Sequence, residues 1–180
     1  MAANRSLQVY DGFGELNSVS GSTGTLPAGL NLGTIRQEGG VKYVLCYNKG
    51  NSAMDAGMLC MNTTPAAGTM MGPYSVTITT VTESIAGVRG CVANATVPTG
   101  YYFWMAVKGG PVNLRASNIS LKTGHMVGPA AAGLCVTTDT SANYVGYNAG
   151  TEGSSATACT DATPTNPSFW VDFESIRPNV

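Results

Sequence analysis

The chain has 180 residues, 23 of them glycine, with 43% hydrophobic and only 11% charged positions, and its formal net charge is −1. That length suits one domain with a core of useful size, and so apolar a composition excludes a disordered chain. A near-neutral charge excludes general attraction to nucleic-acid phosphates or to an anionic membrane surface, so no nucleic acid and no membrane is expected as a partner.

The elements follow in chain order. Residues 1–32 read as an extended N-terminal arm: the small-residue run Ser18–Thr25 and Leu26-Pro27 offer no regular element, while Val9, Tyr10 and Phe13 could dock on a neighbour. Met1–Arg5 is not followed by the apolar core of a signal peptide, and no apolar run approaches the roughly 18 residues of a membrane span, so synthesis in the cytosol is expected. From residue 33 to 180 the texture is that of a β-rich body. Leu32–Gln37 and Val41–Tyr47 read as strands joined at Glu38-Gly39-Gly40, with Val41, Tyr43, Leu45 and Tyr47 on one face. Asn48–Ser52 ends the second strand.

Ala56–Cys60 leads into another strand, and a loop follows from Pro65 to Pro73. The β-branched run Ser75–Thr82 places Val76 and Ile78 on one face, and Gly87–Ala93 is the next strand. The run Tyr101–Val107 then meets Gly109-Gly110-Pro111 and restarts at Val112, which reads as a hairpin, since Gly-Gly-Pro offers positive φ and a missing N–H. Ser120–Val127 echoes the Gly-x-Met texture of Gly57-Met58-Leu59 as a second strand entry. Leu134–Thr138 and Asn143–Tyr147 are further strands, Gly150–Pro167 is a loop, and Phe169, Val171 and Phe173 alternate with Trp170, Asp172 and Glu174 in a last amphipathic strand. No segment keeps a 3.6-residue stripe. The fold class is therefore all-β, an antiparallel sandwich or small antiparallel β-barrel.

Chemistry-bearing motifs are few. Cys46, Cys60, Cys91, Cys135 and Cys159 are odd in number, widely spaced and without a C-x-x-C, so they read as free, buried thiols. The single histidine, His125, has no close cysteine pair, so no metal site is expected. The N-x-S/T matches at Asn4, Asn62, Asn94 and Asn118 read as ordinary turns. There is no G-x-S-x-G elbow around a serine, and the glycine clusters lack the Lys-Ser or Lys-Thr of a phosphate loop. Asp172 and Glu174 read as a solvated strand face. The expectation is a non-enzyme with no catalytic residues and no cofactor. Alternation splits the aromatic run into Tyr101, Phe103 and Met105 on one face and Tyr102, Trp104 and Ala106 on the other. One set fills the core. Tyr102, Trp104 and Trp170 are thus assigned to core or subunit interface, and an exposed set would make a sugar-stacking platform instead.

The order of signals also resembles a known group. Leu32–Ile35, the strand Val41–Tyr47, Asp55–Leu59, Ala86–Gly90, Pro98–Gly110 and Leu121–Val127 together look like the small decoration, or cement, proteins of tailed-bacteriophage capsids, over roughly Leu32 to Val136. The chain departs from that pattern at Met58 and His125, where an acidic residue usually follows the glycine. The resemblance implies a β-tulip-like or barrel body on the outer capsid surface of the virion. It also implies a homo-trimer that clamps neighbouring copies of the major capsid protein; on that reading the N-terminal arm residues Val9, Tyr10 and Phe13, which lie outside the resemblance, are expected to bind the capsid. The alternative is a carbohydrate-binding adhesin or receptor-binding module of a virion, with a host-surface glycan as ligand.

Overall fold

The structure, a computed structural model, describes residues 31–63, 74–79, 88–92, 96–115, 124–137, 145–148 and 169–174. Val9, Tyr10, Phe13, Cys159 and the expected loops Pro65–Pro73 and Gly150–Pro167 lie outside them. The described elements are β1 (Ile35–Glu38), β2 (Val41–Asn48), β3 (Leu59–Asn62), β4 (Ser75–Ile78), β5 (Val88–Val92), β6 (Tyr102–Val112), β7 (Met126–Pro129), β8 (Cys135–Thr137), β9 (Gly146–Asn148) and β10 (Phe169–Asp172), with one 3₁₀ turn at Ala131–Gly133. The protein is all-β.

Hydrogen bonding closes five strands into a barrel: β2 pairs with β4, β4 with β3, β3 with β5, β5 with β6, and β6 returns to β2. All these pairings are antiparallel except β2 with β4. From β6 the sheet continues outward through β10, β9, β7 and β8, while β1 flanks β2. Glu38↔Val41 and Ile35↔Val44 fix the β1–β2 register. The two residues between them, Gly39 and Gly40, both have positive φ, 57° and 81°. That is the type I′ turn whose twist matches two antiparallel strands, and glycine adopts it without steric cost.

Closure explains the burial pattern of β2 and β6. Cys46, Cys60, Val76, Val92, Phe103 and Met105, drawn from all five barrel strands, form one apolar cluster with Met54 and Val97. The opposite face of the same strands, with Val41, Tyr43, Leu45, Tyr102, Trp104 and Ala106, packs with Phe169, Val171, Val127, Val145 and Cys135 in a second cluster. Strands buried on both faces lose the simple alternation of a half-exposed sheet. Leu32, placed in the arm by sequence, is half-buried against this second cluster. Below the barrel, Asn48 is fully buried and satisfied: its amide donates to the carbonyls of Ser52 and Val97, both at 3.1 Å, and its side-chain oxygen accepts from Gly50 N–H at 3.0 Å.

The expected hairpin at Gly109-Gly110-Pro111 does not exist. Strand β6 runs unbroken from Tyr102 to Val112 through a cis Gly110-Pro111 bond. Glycine is required here by crowding rather than by a turn. A Cβ on Gly109, whose φ is +95°, would lie 2.0 Å from the Gly40 carbonyl oxygen, and one on Gly110 would lie 2.6 Å from that of Phe169. At this point β6 carries β2 on one edge and takes up β10 on the other, with a register shift between Phe169 and Val171. Sequence alone cannot distinguish a glycine that turns the chain from one that admits a second backbone.

Candidate interaction face

The amphipathic last strand is as the sequence implies. Phe169, Val171 and Phe173 are buried and Trp170 is 43% exposed. Because successive side chains point to opposite faces, the core-facing residues of β10 leave Trp170 and Asp172 on the outer surface of the sheet. Register then builds a row. Trp170 lies directly opposite Tyr147 of β9, and Tyr147 directly opposite Met126 of β7. Tyr147 and Met126 are 39% and 36% exposed, so three of the four large exposed apolar side chains among the described residues stand in one line across three strands. The fourth, Ile35, is on β1.

Small residues let the backbones beneath this row approach closely. A Cβ on Gly110 would come within 3.1 Å of the Trp170 Cγ atom, and one on Gly146 within 2.4 Å of the Trp170 carbonyl oxygen. The indole therefore stands over the glycine of the adjoining strand, and the β9–β10 backbones approach closely. Beyond Trp170 the same face turns polar. Lys108, opposite Asp172 in register, approaches its carboxylate at 3.4 Å and that of Glu174 at 3.9 Å, and Lys42 bonds to Glu174. Such exposed pairs each add at most about 1 kcal/mol to stability. An apolar strip bordered by charge is the anatomy of a protein-binding surface, and two exposed aromatic side chains at paired positions also suit stacking on a sugar.

Of the described residues singled out by sequence, only Trp170 reaches this face. Tyr102 and Trp104 are 8% and 3% exposed and belong to the core cluster, with Tyr102 tilted against Tyr47 at a ring separation of 5.0 Å. They take the core half of the expected assignment. Tyr147 and Met126 had no signal of their own, since each is a single residue in a short strand whose partner is set by register. Elsewhere Asp55 accepts from Thr96 Oγ1 at 2.8 Å and from Arg115 Nη1 at 2.9 Å, tying the turn before β3 to the end of β6. That turn needs Gly57, at φ +81°, which lies against the Arg115 backbone.

The four described cysteines are free and buried. Burial pushes the thiols of Cys46 and Cys60 well above their ordinary range and that of Cys91 to about 12, which keeps them protonated and poor nucleophiles at neutral pH. Among the described residues no three His, Cys, Asp or Glu side chains are grouped to hold a metal ion.

The class defined by these features is a small closed β-barrel extended by a sheet with one apolar and aromatic outer row. Comparison with protein-family models, with curated proteins and with solved structures finds no match to this chain.

Proposed function

We propose that this chain is a virion decoration protein that binds the outer surface of a tailed-bacteriophage capsid and bridges neighbouring major capsid subunits as a homo-trimer. The observation that carries this reading is the Trp170–Tyr147–Met126 row, an apolar strip on a sheet whose other face is already committed to the core. The sequence resemblance over Leu32–Val136 and the low charge are consistent with it. A subunit that binds the mature lattice and not its dissociated parts stabilises the lattice by linkage, and many copies on a symmetric shell multiply a modest interface by avidity. The arm residues Val9, Tyr10 and Phe13 add a second contact to the capsid.

The test is co-sedimentation of the purified protein with expanded, empty capsids of the phage that encodes it, together with light scattering at low micromolar concentration for the trimer. Retention on capsids that is lost in Trp170→Ala supports the proposal. A protein that never sediments with capsids overturns the decoration reading, and one that stays monomeric both free and on capsids overturns the trimer.

A second reading is favoured by one feature, the exposed aromatic residues Trp170 and Tyr147 at directly paired positions on neighbouring strands. They would serve a carbohydrate-binding adhesin, whose ligand is a host-surface glycan stacked on those rings. A saccharide bound by the wild type on a glycan array and lost in Trp170→Ala selects this reading.

A further inference from the structure

The barrel interior opens into a socket beside the outer row. Val44, Met105 and Val107 belong with Cys46 and Phe103 in the barrel cluster, and they line a cavity of about 390 Å³ at the barrel mouth. Tyr74 and Phe173 add two rings to its wall, and Glu174 and Arg89 complete it. These charged groups are already engaged. Glu174 is bonded to Lys42 and lies 3.9 Å from Lys108, Lys108 lies 3.4 Å from Asp172, and Arg89 has an interaction of its own. An anionic or cationic occupant would compete with those pairs, whereas a neutral one leaves them intact and covers apolar wall. Two rings and the Met105 thioether also favour an aromatic occupant over an aliphatic one, because ring–ring and sulfur–ring contacts add to what burial alone gives. A dry apolar cavity of about 150 Å³ is enough to hold benzene, so this one has room for a ring and the stem that carries it.

One strand joins the socket to the outer row. β10 leaves Trp170 on the surface, and the same chain reaches the cavity at Phe173 and Glu174. Trp170 and Glu174 are four positions apart, at most about 14 Å of extended chain. A single free ring fills the socket alone. An extended peptide can do more, placing one side chain in the socket and another, about four residues along, on Trp170. Two anchors on one chain bind more tightly than either alone, because the second contact is made intramolecularly.

We infer that the barrel mouth is a socket for a partner protein, which inserts one neutral aromatic side chain between Tyr74, Met105 and Phe173 and lays an apolar side chain of the same segment on Trp170. The inference rests on reading the outer row as a protein-binding face and names what the partner presents there. It does not require that partner to be a capsid protein.

The experiment uses the full chain with methionine methyl groups labelled with carbon-13, and circular dichroism confirms that each variant is folded. The probes are N-acetylphenylalaninamide, phenylacetate, phenethylamine, and the acetylated, amidated peptide Leu-Gly-Ser-Gly-Phe in both sequence orders. N-acetylphenylalaninamide is expected to shift the Met105 methyl signal by ring current, and the two charged probes should bind about fivefold more weakly. The better of the two peptides should bind about tenfold more tightly than the single residue. Trp170→Ala should abolish that advantage and leave the Met105 shift. Val44→Trp, which fills the cavity from a half-buried position, should abolish both. An unmoved Met105 signal, or tighter binding of either charged probe, would overturn the neutral aromatic socket. Peptides no tighter than the single residue, or equally favoured by Trp170→Ala, would overturn the partner segment in favour of a small free aromatic ligand. None of these readouts involves capsids, so co-sedimentation can fail while the socket stands, and the socket can fail while co-sedimentation holds.

Discussion

Strands β6 and β10 lie side by side, yet they belong to two regions with opposite demands. In β6 the residues Tyr102 to Val107 are buried on both faces, because one face fills the barrel and the other is covered by the outer sheet. In β10 only the odd positions are buried, and Trp170 is left on the surface. The same residue type therefore has different work in each. Trp104 is a packing element at the centre of the molecule, and Trp170 stands on its surface.

The largest effect that separates the regions is expected at Trp104. Replacing it with Ala removes a buried indole between β2, β6 and the outer sheet, and chemical denaturation should show a loss of about 3–5 kcal/mol. A loss below about 1 kcal/mol would mean that the covering sheet does not pack there as described.

Next comes the junction of the two regions. Gly109→Ala places a methyl group against the Gly40 carbonyl at a positive φ, and the combined strain and overpacking should cost about 2–4 kcal/mol by thermal or urea unfolding. An unaffected midpoint would show that β6 can part from β2 at this point without penalty.

Alkaline pH tests the barrel wall itself. Burial, with the charges of Cys91 and Glu38 adding to it, pushes the Tyr43 hydroxyl up to about 12 from an ordinary 10.0, and burial raises the Cys91 thiol to about 12 from 9.0. Both groups keep their protons longer in the fold than in the unfolded chain. Their contribution is therefore complete below the unfolded values and is lost as pH rises from about 9 toward 12. Urea midpoints should fall steadily through that window, and a flat profile there would contradict the burial of both groups.

The smallest effect on stability is expected at the outer row. Trp170→Ala should change the unfolding free energy by less than about 1 kcal/mol, because nearly half of the side chain is already in water. If the chain decorates capsids as proposed, its binding to them should nevertheless be lost. A large destabilisation would place Trp170 with Trp104 as a core residue and remove the contrast between the two strands.

The sequence by itself determined the β class, the β1–β2 hairpin, the single-sided packing of Val76 and Ile78 on β4, and the alternation of β10. Each of these depends on a local period or on turn chemistry, and Gly39-Gly40 dictates its turn wherever the hairpin sits. Tertiary structure decided the rest. Gly109-Gly110-Pro111 has the composition of a turn, and only the approach of β2 and β10 to the two edges of β6 makes it the middle of a strand. Trp104 and Trp170 are equally aromatic in sequence, and what separates them is that closure of the barrel and its covering sheet bury both faces of one strand and a single face of the other. The outer row has the same origin: Trp170, Tyr147 and Met126 are far apart along the chain, and cross-strand register, fixed by backbone hydrogen bonds, is what sets them in one line.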